Sequence, residues 1–136
     1  MGRSLLGVLA GFVVAVVVIM VVEMVGMKVY PLPAGVDPTD PAALQALMPT
    51  LPLGSFLFVL ASWLLGTGAG AVVAQRVSKA ASRVPGLTLG GLVLAAALYN
   101  MWVIPHPTWF VAASVFGIAA VAALASKPHA APAAGA

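Results

Sequence analysis

The chain has no cysteine. Disulfides, thiolate metal sites and cysteine nucleophiles are therefore excluded. Charge is nearly as scarce: of 136 residues, six are Lys or Arg and three are Asp or Glu. A soluble domain of this length would need far more polar surface to face water. No nucleophile–base pair and no metal-ligand constellation is visible among so few candidates, so neither catalysis nor a metal or cofactor is expected. What the chain does have is apolar: 62% of residues are hydrophobic and the mean hydropathy is +1.13. The net charge of +3 would raise nucleic acid as a partner for a soluble protein. Here the basic residues flank apolar runs, which is how membrane spans are oriented, and nucleic acid is not expected.

A helix rises about 1.5 Å per residue, so about 20 apolar residues cross a bilayer core. Spans are predicted at about 4–26, 53–74, 86–104 and 108–125. Arg3 precedes the first. Arg76, Lys79 and Arg83 separate the second from the third, and Lys127 follows the fourth; only Lys28 falls on the other side. The expected fold is all-α, an integral membrane four-helix bundle over residues 1–125, with both termini cytoplasmic. The first apolar run, Leu5 to Val22, is 18 residues, longer than a signal-peptide core, and no small-x-small cleavage site follows it. An uncleaved first span is expected.

The connections differ in kind. Pro105-His106-Pro107 stops one helix and starts the next, which predicts a tight antiparallel hairpin. The loop over residues 27–52 is long. Tyr30-Pro31-Leu32-Pro33 is expected to be extended. Asp40 suits an N-cap with Pro41 at the first helical position, and Leu44, Leu47 and Met48 share one face of a short helix over about 41–48. That face is expected on the membrane surface or on the bundle mouth. The Ala/Pro-rich tail over 126–136 has no periodicity and is expected to be disordered.

Small residues recur four apart: Gly7, Gly11 and Ala15; Gly66, Gly70 and Ala74; Gly86 and Gly90; Ala113 and Gly117. Such rows let helix backbones approach closely. Packing inside the bundle is the expected use, with a homodimer face as the alternative.

Glu23 is the only acid within a predicted span. Intramembrane carboxylates usually face a cavity or a partner. The predicted topology puts Asn100, Tyr99, Ser62 and His106 toward the same outer end. Glu23, Asn100 and His106 are expected to converge there, with Tyr99 and Ser62 nearby. Plainer readings stand beside this. Glu23 can be interfacial, with Lys28 in reach; Asn100 can bond a neighbouring helix; His106 can be a solvated turn residue. Trp63, Trp102, Trp109, Tyr30 and Tyr99 read as an interfacial aromatic belt, or as walls of a pocket for a flat apolar ligand such as a quinone or carotenoid.

Glu23 in the first span, Tyr30-Pro31-Leu32-Pro33, the pair Asp37-Pro38 and Asp40-Pro41, and Pro105-His106-Pro107-Thr108-Trp109 together resemble a group of small four-span bacterial membrane proteins. The resemblance implies the topology and a bacterial inner-membrane location. It transfers no catalytic or binding residue. The functional expectation is an accessory or scaffold subunit of a membrane complex, with the bilayer and another membrane protein, or a second copy, as partners. The rivals are a small transporter or channel subunit using Glu23, Asn100 and His106, and a binder of an apolar ligand such as a lipid.

Overall fold

The computed structural model describes residues 2–128 and is all-helical. Five α-helices follow one another: α1 (Gly2–Val29), α2 (Pro41–Leu47), α3 (Leu53–Ser78), α4 (Val84–Val103) and α5 (Thr108–Ala125). A 3-10 turn, Met48–Thr50, extends α2. Four of the five, all but α2, are long and apolar enough to cross a membrane.

In cross-section the long helices make a rhombus. α3 packs on α1, α4 and α5, and α4 also touches both α1 and α5. α3 and α4 therefore form the short diagonal, with α1 and α5 at opposite corners. One end of the bundle carries Arg76, Lys79, Arg83 and Lys127 and is called the basic end here; the other carries α2 and the Pro-rich segments and is called the loop end.

The α1–α3 seam is built from small residues. A Cβ placed on Gly7 would lie 2.6 Å from the Ala74 carbonyl oxygen. One on Gly11 would strike the Gly70 carbonyl, and one on Gly66 would come within 2.9 Å of the Ala15 carbonyl. At these crossings one backbone lies directly on the other, and dispersion between them replaces the hydrophobic drive that lipid does not provide. Gly86 and Gly90 of α4 sit against Ser126 and Ala122, and Gly117 of α5 sits against Leu64 of α3.

The helix ends follow from local chemistry. Asp40 caps α2, its carboxylate accepting from the Ala42 N–H at 2.9 Å. α3 continues past residue 74 to Ser78 and stops where Lys79 turns left-handed, at φ 51°. α1 likewise runs on to Val29, three residues beyond its predicted end. Apolarity marks the membrane-crossing stretch, whereas a helix ends where its last carbonyls find other donors.

The expected tail begins with order. Ser126 is fully buried, and its N–H and hydroxyl both donate to the Ala122 carbonyl. The rest of that segment, 129–136, lies outside the described residues.

One unforeseen residue organises the basic end. Gln75 of α3 is 4% exposed and satisfies three groups. Its Nε2 donates to the Ser82 carbonyl (3.1 Å) and the Lys127 carbonyl (3.0 Å), and its Oε1 accepts from the Gly86 N–H (2.9 Å). One amide thus ties the connecting loop, the first turn of α4 and the end of α5 to α3.

Candidate functional site: a carboxylate at the neck of two cavities

Two cavities meet near the loop end. A groove of about 250 Å³ lies between α1 and α4, floored by Ala15, Ile19 and Val93. A chamber of about 300 Å³ lies beneath the long loop, walled by Tyr30, Phe58 and Met48 and reaching His106. Glu23, Trp63 and Asn100 line both. They form the neck that joins them.

Glu23 comes from α1, four residues past Ile19 and three before Gly26, so it shares the face turned toward α3 and α4. It is half-buried. The Ser62 hydroxyl, fully buried on α3, stands 3.2 Å from Glu23 Oε1 and 2.7 Å from the Val59 carbonyl. A hydroxyl has one proton. If Ser62 donates it to Glu23, the carboxylate is held as an anion. If Ser62 donates it to the helix carbonyl, a protonated Glu23 donates back to the hydroxyl oxygen. The site is wired for both states.

Asn100 meets Glu23 across the neck, but no hydrogen bond joins the two among the described residues. The partner is Ser62. α1 packs much more extensively on α3 than on α4, and this brings a hydroxyl of α3 to Glu23 and leaves the α4 amide exposed to the cavities. Lys28 does not pair with Glu23 either. Five positions along a helix turn about 140°, so the two leave α1 in different directions.

Tyr99 leaves the predicted cluster. One residue from Asn100, it points about 100° away around α4. It is 66% exposed and sits against Trp102, ring centroids 6.1 Å apart. Trp102 also faces outward, as an interfacial belt residue should. Trp63 does not belong to that belt: it is buried, with its ring 5.4 Å from Phe110.

His106 is not a solvated turn residue. Its ring stacks on Phe110 at 4.8 Å and 19°, with Phe56 and Trp63 around it. Its Nδ1 faces the Ile104 carbonyl, which assigns the Nδ1–H tautomer and leaves Nε2 as an acceptor. Burial pushes its pKa below the usual imidazole value, and the Ile104 carbonyl only partly opposes this. His106 is therefore neutral at pH 7.

The loop is fastened over the chamber. Gln45 of α2 donates from Nε2 to the Val103 carbonyl at 2.6 Å, taking up an acceptor freed where α4 ends. Leu44 and Met48 turn into the chamber, so the apolar face of α2 rests on the bundle mouth. Beneath the roof, Ser55 Oγ is buried and has no hydrogen-bond partner among the described residues. No Lys or Arg among the described residues lines either cavity. Among the described residues, no three His, Asp or Glu side chains come together as a metal site.

Toward the basic end the interior closes. Thr67, Ala71, Ala74 and Leu89 are fully buried below the neck, and the Gly11–Gly70 crossing seals α1 to α3. The polar site opens at one end of the bundle.

Gln45 and Gln75 were not singled out by sequence reasoning. The signal for Gln75 was present: a lone amide just inside a basic loop, where two helix ends need donors and acceptors. Gln45 carried no such signal, because its partner is 58 positions away.

No protein-family model, curated protein or solved structure matches the chain.

Proposed function

We propose that this is a non-enzymatic four-span protein of a bacterial inner membrane that binds a lipophilic cation at the neck formed by Glu23, Trp63 and Asn100. One observation carries the reading. A carboxyl group sits where two largely apolar cavities meet, with no Lys or Arg among the described residues of either lining and His106 neutral. A carboxylate in such a setting attracts a positive group, and the faces of Trp63, Tyr30 and Phe58 add cation–π attraction. The apolar body of the ligand lies along the α1–α4 groove, which also provides its path from the outer leaflet. Asn100 and the free hydroxyl of Ser55 orient its polar atoms. The closed interior below the neck supports binding from one side over conduction.

Tetraphenylphosphonium, titrated calorimetrically into the detergent-solubilised protein, is the test. Saturable one-site binding is expected, weakened at least tenfold by Glu23→Gln, which keeps shape and removes charge. Equal affinity in the variant rejects the cation reading. Saturable binding of neutral decylubiquinone, with none of the cation, would assign the cavities to an apolar ligand instead.

The orientation follows from charge. Five of six basic residues flank the same ends of the four spans, which supports cytoplasmic termini, a cytoplasmic 79–83 loop and an outer α2. With cysteine introduced singly at Thr39 and Ser82, an impermeant thiol reagent applied to intact cells is expected to label position 39 and spare position 82. The reverse pattern inverts the protein.

A second reading, an accessory or scaffold subunit, is favoured by α1. Packed along one side only, it leaves Leu5, Leu6, Leu9, Val13, Val17 and Met20 exposed in a continuous stripe that suits lipid or another membrane helix. Native mass spectrometry from lipid particles separates the two: a stoichiometric protein partner supports this role, and a lone monomer counts against it.

A further inference from the structure

At the opposite end of the bundle, α3 and α5 part to leave a groove of about 550 Å³. Val72 forms one wall, and Val121 and Leu124 form the other. Its mouth carries Arg76 and Lys127, both exposed. The groove narrows at Gly68, one helical turn earlier, where a Cβ would lie 3.3 Å from Val121 Cγ1.

The backbone that carries the two cations is held in place. Arg76 follows the buried Gln75 on α3. The Lys127 carbonyl accepts from Gln75 Nε2 at 3.0 Å, and its N–H donates to the Ala125 carbonyl at 2.9 Å. The three acids of the chain, Glu23, Asp37 and Asp40, all belong to the loop end. α3 and α5 both end here, and each contributes about half a negative charge, which two full positive charges exceed.

We propose that this groove binds an anionic phospholipid of the leaflet at the basic end. An acyl chain lies along Val72, Val121 and Leu124, and the phosphate is held between Arg76 and Lys127. Free phosphate would make no use of the apolar walls, and a zwitterionic lipid would bring a third positive charge to a mouth that already has two. Basic pockets between membrane helices take acidic headgroups for these reasons. The site is independent of the ligand cavities at the other end and stands or falls separately from them.

The experiment titrates phosphatidylglycerol or phosphatidylcholine into the detergent-solubilised protein and counts bound lipid by native mass spectrometry, with circular dichroism confirming each variant's fold. The wild type is expected to retain one phosphatidylglycerol in clear preference to phosphatidylcholine. Arg76→Gln with Lys127→Gln should weaken that lipid on the order of tenfold or more. Lys127→Gln keeps the backbone carbonyl that Gln75 needs. Lys79→Gln with Arg83→Gln removes the same charge outside the groove and should leave binding intact. Val121→Trp fills the groove, keeps both charges and should also weaken it. Equal losses in the two charge pairs would reduce the effect to general attraction and overturn the site. So would equal retention of the two lipids, or glycerol phosphate binding that survives Val121→Trp unchanged.

Discussion

Gly70→Leu is expected to unfold the bundle in detergent at temperatures where the wild type is intact, with a loss of more than about 3 kcal/mol. Even a single carbon at this position has no room. A Cβ would lie 2.6 Å from Leu89 Cδ2, 2.7 Å from the Gly11 carbonyl oxygen and 2.9 Å from Ala15 Cβ. Leu89 could turn away, but the carbonyl belongs to α1 and moves only if the whole helix does. Shifting α1 opens the seam along its length and forfeits contacts at Gly7, Gly66 and Ala15 together. Overpacking of a close core costs about 1–3 kcal/mol, and more where backbone must yield. Gly70→Ala is expected to lose less, since a helical alanine returns up to about 1 kcal/mol of propensity. Gly91→Leu is the control: nothing lies within 4 Å of its Cβ, and its stability should hold. Thermal unfolding with oligomeric state measured in parallel decides the matter. If Gly70→Leu melts like the wild type and only a dimer disappears, the row of small residues is an oligomer face and not the seam of the monomer.

The second large effect is expected at Gln75. Gln75→Leu conserves most of the volume and deletes three hydrogen bonds at once. The carbonyls of Ser82 and Lys127 stand at the end of the bundle, where water can replace the amide. The Gly86 N–H cannot be reached in that way, because Gly86 is buried against Ser126. One unsatisfied buried donor costs about 1–3 kcal/mol, and two weakened bonds add to it, so a loss of about 3 kcal/mol is expected. Gln75→Glu should cost at least as much: it keeps the acceptor for Gly86 but brings a charge into a buried position and loses both donors. Hydrogen exchange localises the effect. In Gln75→Leu the amides of the first turn of α4 should exchange much faster than those at its centre. Unchanged exchange there, with an unchanged melting point, would mean that helix packing alone sets how α4 and α5 dock.

Read along the chain, the helices were legible because lipid-crossing segments need uninterrupted apolarity, and four such runs are present. The Pro105–Pro107 hairpin and the Asp40 cap were legible for a related reason: proline geometry and a capping carboxylate act within a few residues. Side-chain direction around each helix was not legible. Tyr99 and Asn100 are adjacent in sequence, yet one faces outward and the other lines both cavities. Hydropathy does not distinguish them, because in a membrane protein the lipid-facing side and the interior are both apolar and no amphipathic stripe points inward.

The sequence by itself determined that this is a chain of four apolar helices with most of its positive charge gathered at one end, because both properties are sums over local residues. Tertiary structure decided the rest. It set α3 and α4 on the short diagonal of the bundle, gave Glu23 a serine of α3 in place of Asn100, packed His106 and Trp63 into one aromatic nest, and made Gln75 the tie between three segments. Each of these depends on which helix faces follow which neighbours, and that is settled by the depth to which small residues let two backbones approach. Gly11 against Gly70 is a distance between positions 59 apart in the chain, and no local pattern contains it.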